Sequence, residues 1–314
     1  MVLLELNFGT AVESFTPPGV IPNTKMIYET AITAEKLGFD AVWVWDHLLL
    51  GSKKVYQVLE PLTLLAAISS KTSKIKLGIS TLVLPLRDPV VLAKEVQTIH
   101  HISNGRLILG VAAGWYEKEF DAVGTDFSER GKTTELYISL LRRLVTETDI
   151  NAQIGARRFH HTTMEPRPSS PPKILMGGYR VLKRIGSMSD GWIASYYTPE
   201  DFRETWLEIT KFAREAGRDE KTLTSVNIVP VCIRNTFEEA DRIARDFTAE
   251  YMDMPSWGKS KVESAVRGTV KDCIDQIKRY EEVGLQNLEF IPCYYDLETV
   301  EAVGKEIIPH FKRR

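Results

Sequence analysis

The sequence predicts an α/β protein closed into a (β/α)8 TIM barrel with insertions, and three observations carry that prediction. Strand-like and helix-like segments alternate along the whole chain, and eight strand-like segments can be counted. Such alternation builds parallel sheets with helices outside them. Residues 77–115 read as one complete βαβ unit: an apolar strand, a proline-punctuated loop, an amphipathic helix, and a second apolar strand running into a glycine-bearing loop. All-apolar strands of this kind are buried on both faces. Finally, the first strand-to-helix turn has no glycine-rich dinucleotide fingerprint, which weighs against a doubly wound open sheet.

In chain order, residues 3–8 are a short apolar first strand. Asn23 is placed to cap a helix that ends at Leu37, where Gly38 supplies the left-handed turn. The second strand covers 41–45. A helix over 61–72 opens on Pro61, a residue suited to a first helical turn. Strand 75–84, helix 88–102 and strand 106–111 follow. Ser128 is assigned as the cap of a long helix to 147, whose Leu136, Leu140, Leu141 and Leu144 share one face. Residues 149–172, with Gly155, paired histidines and the run from Pro166 to Pro172, interrupt the alternation. We read them as an excursion from the barrel, because strands resume at once over 173–176, 191–194, 225–232 and 287–291. Helices near 180–189, 199–216, 236–252 and 269–284 separate or flank these strands, and 297–311 closes the chain. A second excursion covers 252–268, with Pro255 and Gly258. The whole of 1–314 is expected to be one domain.

An apolar fraction of 43% with 26% charged residues is that of a globular protein in water. The formal net charge of −2 gives no electrostatic case for binding nucleic acid or an acidic membrane. No run of apolar residues is long enough to span a bilayer, and the start has no charged-then-apolar signal pattern. Cys232, Cys273 and Cys293 are odd in number and widely spaced, which points to reduced thiols and a cytoplasmic address. The pairs His100-His101 and His160-His161 are poor metal ligands, because neighbours on a helix diverge and no Cys or carboxylate stands at metal spacing. No metal is expected.

Chemistry in α/β proteins gathers at the carboxyl edge of the sheet. Asp46-His47 sits there, directly after the second strand. A histidine beside a carboxylate can act as acid, base or hydrogen-bond donor near neutral pH; equally, Asp46 caps a turn and His47 is a satisfied loop residue. Gly177-Gly178 follows a strand and opens a helix near Tyr179, so its N–H groups can approach a phosphate, with Arg180 and Lys183 adding charge. The plainer alternative is a tight turn that needs positive φ. The loop 110–115, followed by Glu117 and Glu119, is small enough for a flat ring to lie on it, with Trp115 to stack or to plug the barrel mouth. Phe8, Trp45, Trp115, Tyr196 and Tyr197 give the mouth an apolar, aromatic character.

Together these pieces resemble the luciferase-like monooxygenase superfamily (bacterial luciferase-like), in its branch that uses the deazaflavin coenzyme F420. The matching residues are Leu37-Gly38-Phe39-Asp40 with Trp43 and Asp46-His47, the stretch 75–84, Arg87-Asp88-Pro89, Leu92-Ala93-Lys94, and Ser103-Asn104-Gly105-Arg106-Leu107 leading to Leu109-Gly110-Val111. Gly114-Trp115, Glu119-Phe120, Gly124, Arg130, Gly177-Gly178, Asp190-Gly191-Trp192, Gly268-Thr269 and Val283-Gly284 extend the likeness nearly end to end. The resemblance implies a barrel that dimerises and binds its ring at the carboxyl mouth. It implies a non-proline cis peptide backing the ring, for which Ser80-Thr81 is the matching place. Gly177 and Gly178 match the family's phosphate contacts, and His47, with Asp46 beside it, matches its active-site histidine. Phe8, Gly114, Trp115 and Tyr179 complete the expected cofactor contacts. Sugar-phosphate dehydrogenases of this branch carry a catalytic glutamate where Trp115 stands, which argues against that substrate and leaves the proton donor between His47 and Glu119.

The leading expectation is therefore hydride transfer between F420 and a small organic substrate, with His47, Asp46 and Glu119 as catalytic candidates. The alternative is an FMN-dependent monooxygenase that receives reduced flavin from a partner reductase, since one barrel and one histidine serve both chemistries. A third reading is a barrel that binds a flavin without turning it over.

Overall fold

All eight expected strands form, and they close on one another. A computed structural model of the protein describes residues 5–51, 54–251 and 262–312. The chain runs β1 (Asn7–Ala11), β2 (Phe15–Thr16), α1 (Thr24–Lys36), β3 (Ala41–Val44), β4 (Gln57–Val58), α2 (Pro61–Ser69), β5 (Lys76–Val83), α3 (Pro89–Ile102), β6 (Leu107–Ala112), α4 (Glu117–Val123) and α5 (Arg130–Thr146). It continues through β7 (Ile150–Ile154), β8 (Arg157–Thr162), β9 (Lys173–Gly177), α6 (Leu182–Met188), β10 (Gly191–Ser195), α7 (Pro199–Glu215), β11 (Thr224–Ile233) and α8 (Phe237–Tyr251). The last elements are β12 (Val266–Gly268), α9 (Val270–Glu282), β13 (Asn287–Pro292), α10 (Leu297–Ala302) and α11 (Ile308–Phe311).

Parallel pairing runs in the order β10-β9-β6-β5-β3-β1-β13-β11, and β10 pairs with β11 to complete the circle. The short β12 lies along the carboxyl half of β11 outside the ring, from Val231↔Val266 to Ile233↔Gly268. Side chains alternate across each strand. On β3, Val42 and Val44 pack under the helices while Ala41 and Trp43 face the barrel interior. Trp43 fits because a neighbouring strand offers Gly78, where a Cβ would stand 2.1 Å from the indole.

Four expectations change. The first strand runs from Asn7 to Ala11 rather than over 3–8, so its carboxyl end lies beyond Phe8. Residues 3–4 of that expected strand lie outside the described residues. The excursion 149–172 is not irregular throughout: β7 and β8 form an antiparallel hairpin there. Ser128 does not cap α5; its hydroxyl donates to Asp126 at 2.7 Å, and Glu129 takes the cap position without a side-chain bond. The closing helix is interrupted by a π turn over Val303–Ile307. Of the second excursion, residues 252–261 lie outside the described residues, and its end forms β12.

Candidate active site

A cavity of about 590 Å³ opens at the carboxyl end of the barrel. That size suits a ring cofactor together with a small substrate. His47, just past β3, lines it. Its Nδ1 lies 2.9 Å from Glu119 Oε2. Glu119 rides on α4 and is fully buried, and its other oxygen accepts the backbone N–H groups of Leu48 and Leu49 at 2.5 and 3.0 Å. One carboxylate thus holds both the imidazole and the loop that carries it. The indole of Trp115 meets the imidazole edge-on, with centroids 5.5 Å apart and planes at 75°.

Asp46 points elsewhere. Both its oxygens accept from the Arg87 guanidinium at 2.8 Å, and Oδ2 also accepts the Val83 N–H at 2.7 Å. Burial works against the Arg87 charge, but the Asp46 carboxylate outweighs it and pushes the guanidinium up from its ordinary value. The pair ties the end of β3 to the end of β5. Just before that point the Ser80–Thr81 peptide bond is cis, and the β5–β6 register shifts between Ile79 and Leu82. Ser80 and Thr81 both line the cavity. The Ser80 hydroxyl turns inward and donates to Glu289 Oε1 at 2.9 Å.

The two ends of the cavity differ in charge. At one, Gly177 ends β9 and Gly178, Tyr179 and Arg180 follow it, with Ser128, Arg130 and Arg184 lining the same cavity near the first turn of α5. Arg130 is held by the carbonyls of Gly114 and Phe127 at 3.2 and 2.8 Å, and Arg184 pairs with Glu135. Gly177 packs so closely against β5 that a Cβ there would stand 2.9 Å from Thr81 Cγ2. A backbone free of side chains, the guanidinium groups of Arg130, Arg180 and Arg184, and the amino end of a 17-residue helix make this end of the cavity cationic. The other end is aromatic, built from Phe15, Trp45, Trp115, Phe247, Tyr251 and Tyr295. Burial pushes the Tyr251 phenol up to about 12 and that of Tyr295 higher still, so neither carries charge near neutral pH.

Of the residues singled out in the sequence, His47, Asp46, Ser80, Thr81, Gly114, Trp115, Gly177, Gly178 and Tyr179 come together on this cavity. Glu119 stands one layer behind, touching His47 rather than the open space. Phe8 does not join them. It is fully buried on the helix side of β1, against Phe290 and Phe311, because the strand extends to Ala11 and strand alternation turns Phe8 outward. Phe15 lines the cavity instead. Tyr197 packs against Tyr179 and Trp192 outside the cavity wall. The sequence reading missed Phe15, Tyr295, the first turn of α5 and the α8 pair Phe247 and Tyr251. Tyr295, directly past β13, obeys the same carboxyl-edge rule that singled out His47. Phe15 lies in the short strand β2, four residues past the end of β1, and the rest come from helices; none carries a local signal.

Among the described residues, no group of three metal-binding side chains is found, and no helix is long and apolar enough to cross a membrane.

Comparison with known proteins agrees with this geometry. The family profile described as luciferase-like monooxygenase matches residues 7–287. The chain is 25% identical, over 340 aligned positions, to an F420-dependent glucose-6-phosphate dehydrogenase of Amycolatopsis mediterranei (strain U-32), covering 99% of each chain. It is 24% identical to the alkanal monooxygenase alpha chain of Photorhabdus laumondii subsp. laumondii, covering 79% of this chain and 70% of that one. Its fold superposes, with a TM-score of 0.79 at 16% identity, on the oxygenating constituent of 3,6-diketocamphane monooxygenase from Pseudomonas putida in complex with FMN, covering 99% of this chain and 100% of that one. From barrel closure to the shared profile, these findings agree that the chain is an oxidoreductase belonging to the luciferase-like monooxygenase family.

Proposed function

We propose that the protein is a coenzyme F420-dependent oxidoreductase that moves a hydride between the deazaflavin and a small, uncharged organic substrate. The observation that carries this reading is the His47 imidazole, held by buried Glu119 on the wall of a cavity that has one cationic and one aromatic end. When bound, the deazaflavin supplies two-electron hydride chemistry at its central ring carbon. Ser80-Thr81 and Gly114-Trp115 offer two walls for a planar ring. Gly177, Gly178 and Arg180, facing the first turn of α5, suit its phosphorylated tail.

A carboxylate only accepts hydrogen bonds, so we assign His47 Nδ1 as the donor to Glu119. Nε2 is then left to take a proton from a substrate hydroxyl, or to return one to a carbonyl. Asp46 takes no proton in this scheme; it holds Arg87 and the Val83 backbone. Trp115 stands where related sugar-phosphate dehydrogenases place a glutamate, and the substrate end is aromatic. Both features favour an uncharged substrate over a sugar phosphate.

A second reading is an FMN-dependent monooxygenase supplied by a partner reductase, and the likeness to an alkanal monooxygenase supports it. Fluorescence titration of the purified protein with F420 and with FMN separates the two. The first reading expects F420 to bind about tenfold or more tightly than FMN, a difference of roughly 1.4 kcal/mol. Tighter FMN binding transfers the assignment to the second reading, and binding of neither overturns both.

A further inference from the structure

Three carboxyl groups are buried around the ring site, and they are not equally served. Asp46 accepts from two Arg87 nitrogens and one backbone N–H. Glu119 accepts two backbone N–H groups and faces His47. Glu289, in the middle of β13, is fully buried and has one contact of this kind, the Ser80 hydroxyl donating to Oε1 at 2.9 Å. Among the described residues its Oε2 has no hydrogen-bond partner. The same residue borders a smaller cavity of about 220 Å³ at the opposite end of the barrel. It therefore sits in the barrel core between that cavity and the wall residue Ser80.

Such a group is expensive. A buried carboxyl with half its hydrogen-bonding capacity unmet is destabilising relative to an apolar residue of the same size. Burial pushes this carboxyl well above its ordinary range, which spares it the charge but not the unmet oxygen. Positions that break the rules of core packing gather where function requires them. Here the single contact made is to a residue that lines the ring cavity.

We propose that Glu289 is a positioning residue of the cofactor site: its hydrogen bond draws the Ser80 side chain into the barrel and so fixes the Ser80–Thr81 backbone as the wall on which the ring rests. Gly177 supports the same wall from β9, packing against the Thr81 methyl. The inference rests on the ring-binding reading given above.

Its test compares Glu289→Gln with Glu289→Leu, each read by cofactor dissociation constant and by melting temperature. Glutamine keeps a hydrogen-bond partner for Ser80, whereas leucine fills the space without one. The expected result is a glutamine variant within about threefold of the wild type in affinity, and a leucine variant weaker by about tenfold or more. The leucine variant is expected to melt at or above the wild-type temperature. Loss of affinity without loss of stability is what a merely structural residue does not show. The proposal is overturned if the leucine variant binds as tightly as the wild type, or if both variants lose affinity and stability together. A wild-type protein that binds neither F420 nor FMN would instead sink the underlying reading, so the two failures are told apart.

Discussion

At the scale of single residues, the site is a pairing of one visible side chain with one concealed partner. Asp46-His47 can be read from the sequence as chemistry because it follows an apolar strand. What cannot be read is which of the two serves the cavity and which the scaffold. Neighbouring side chains on an extended backbone diverge, so Asp46 goes to Arg87 while His47 goes to Glu119, a residue 72 positions later. Only the closed barrel brings that partner within reach. If His47 Nε2 handles the proton, His47→Ala lowers kcat by about 10²–10⁴-fold, the usual worth of a general acid–base group, while leaving the cofactor dissociation constant unchanged. Glu119→Gln is informative in a different way. Its carbonyl can still accept from Leu48 and Leu49, but its NH2 group then faces Nδ1 and moves the imidazole proton to Nε2. We expect kcat to fall by about 10–100-fold, with cofactor affinity again unchanged. Steady-state kinetics with cofactor titration on both variants checks this, and an unaffected kcat in Glu119→Gln would remove Glu119 from the proton-handling unit.

At the scale of elements, strand existence was legible and strand ends were less so. Continuous apolar runs such as those of β3, β5 and β6 identify buried parallel strands, because such strands are covered on both faces by the barrel interior and the helices. The start of β1 misled for the same reason: apolar residues ahead of Asn7 extend the run without belonging to the described strand. With that shift Phe8 falls within the strand and packs on its helix side rather than at the cavity. The clamp between β3 and β5 could not be seen from either strand, since Arg87 lies beyond the second one and reads as a loop residue. Its worth can be measured. Asp46→Ala leaves the Arg87 guanidinium, which is only 12% exposed, with the more exposed Glu60 carboxylate at 3.4 Å as its remaining partner, and the Val83 N–H without its acceptor. Breaking a buried pair from one side costs about 3 kcal/mol or more. For a chain of this size that is a fall in melting temperature of roughly 6–12 °C, checked by calorimetry or by circular dichroism. A fall of under about 2 °C would show that solvent already serves Arg87.

At the scale of the whole molecule, closure of the barrel decides what the sequence could not. A closed eight-stranded barrel sets β13 between β1 and β11, as alternation predicts, but alternation does not show that Glu289 on β13 reaches Ser80 across the interior. A net charge of −2 gives no hint that the cavity has a cationic end. Closure also makes Glu289 a contributor to the pH dependence of stability, with a sign that can be worked out. Burial raises its folded-state pKa well above the ordinary carboxyl range, while the unfolded chain has no reason to depart from that range. As pH rises past the ordinary range, the unfolded state loses the proton and the folded state keeps it. Stability from this group is thus complete below the unfolded pKa and is lost progressively toward the folded one. The phenols of Tyr196 and Tyr295, the titratable groups whose charge would act on Glu289, are both pushed up by burial and stay neutral across that window. Glu289→Gln removes the titration and keeps a partner for Ser80. The melting temperature of the glutamine variant relative to the wild type should therefore climb as pH rises above the ordinary carboxyl range, because all other titrations cancel in the comparison. A difference that stays flat above this range would mean that Glu289 ionises in the folded barrel as readily as in the unfolded chain.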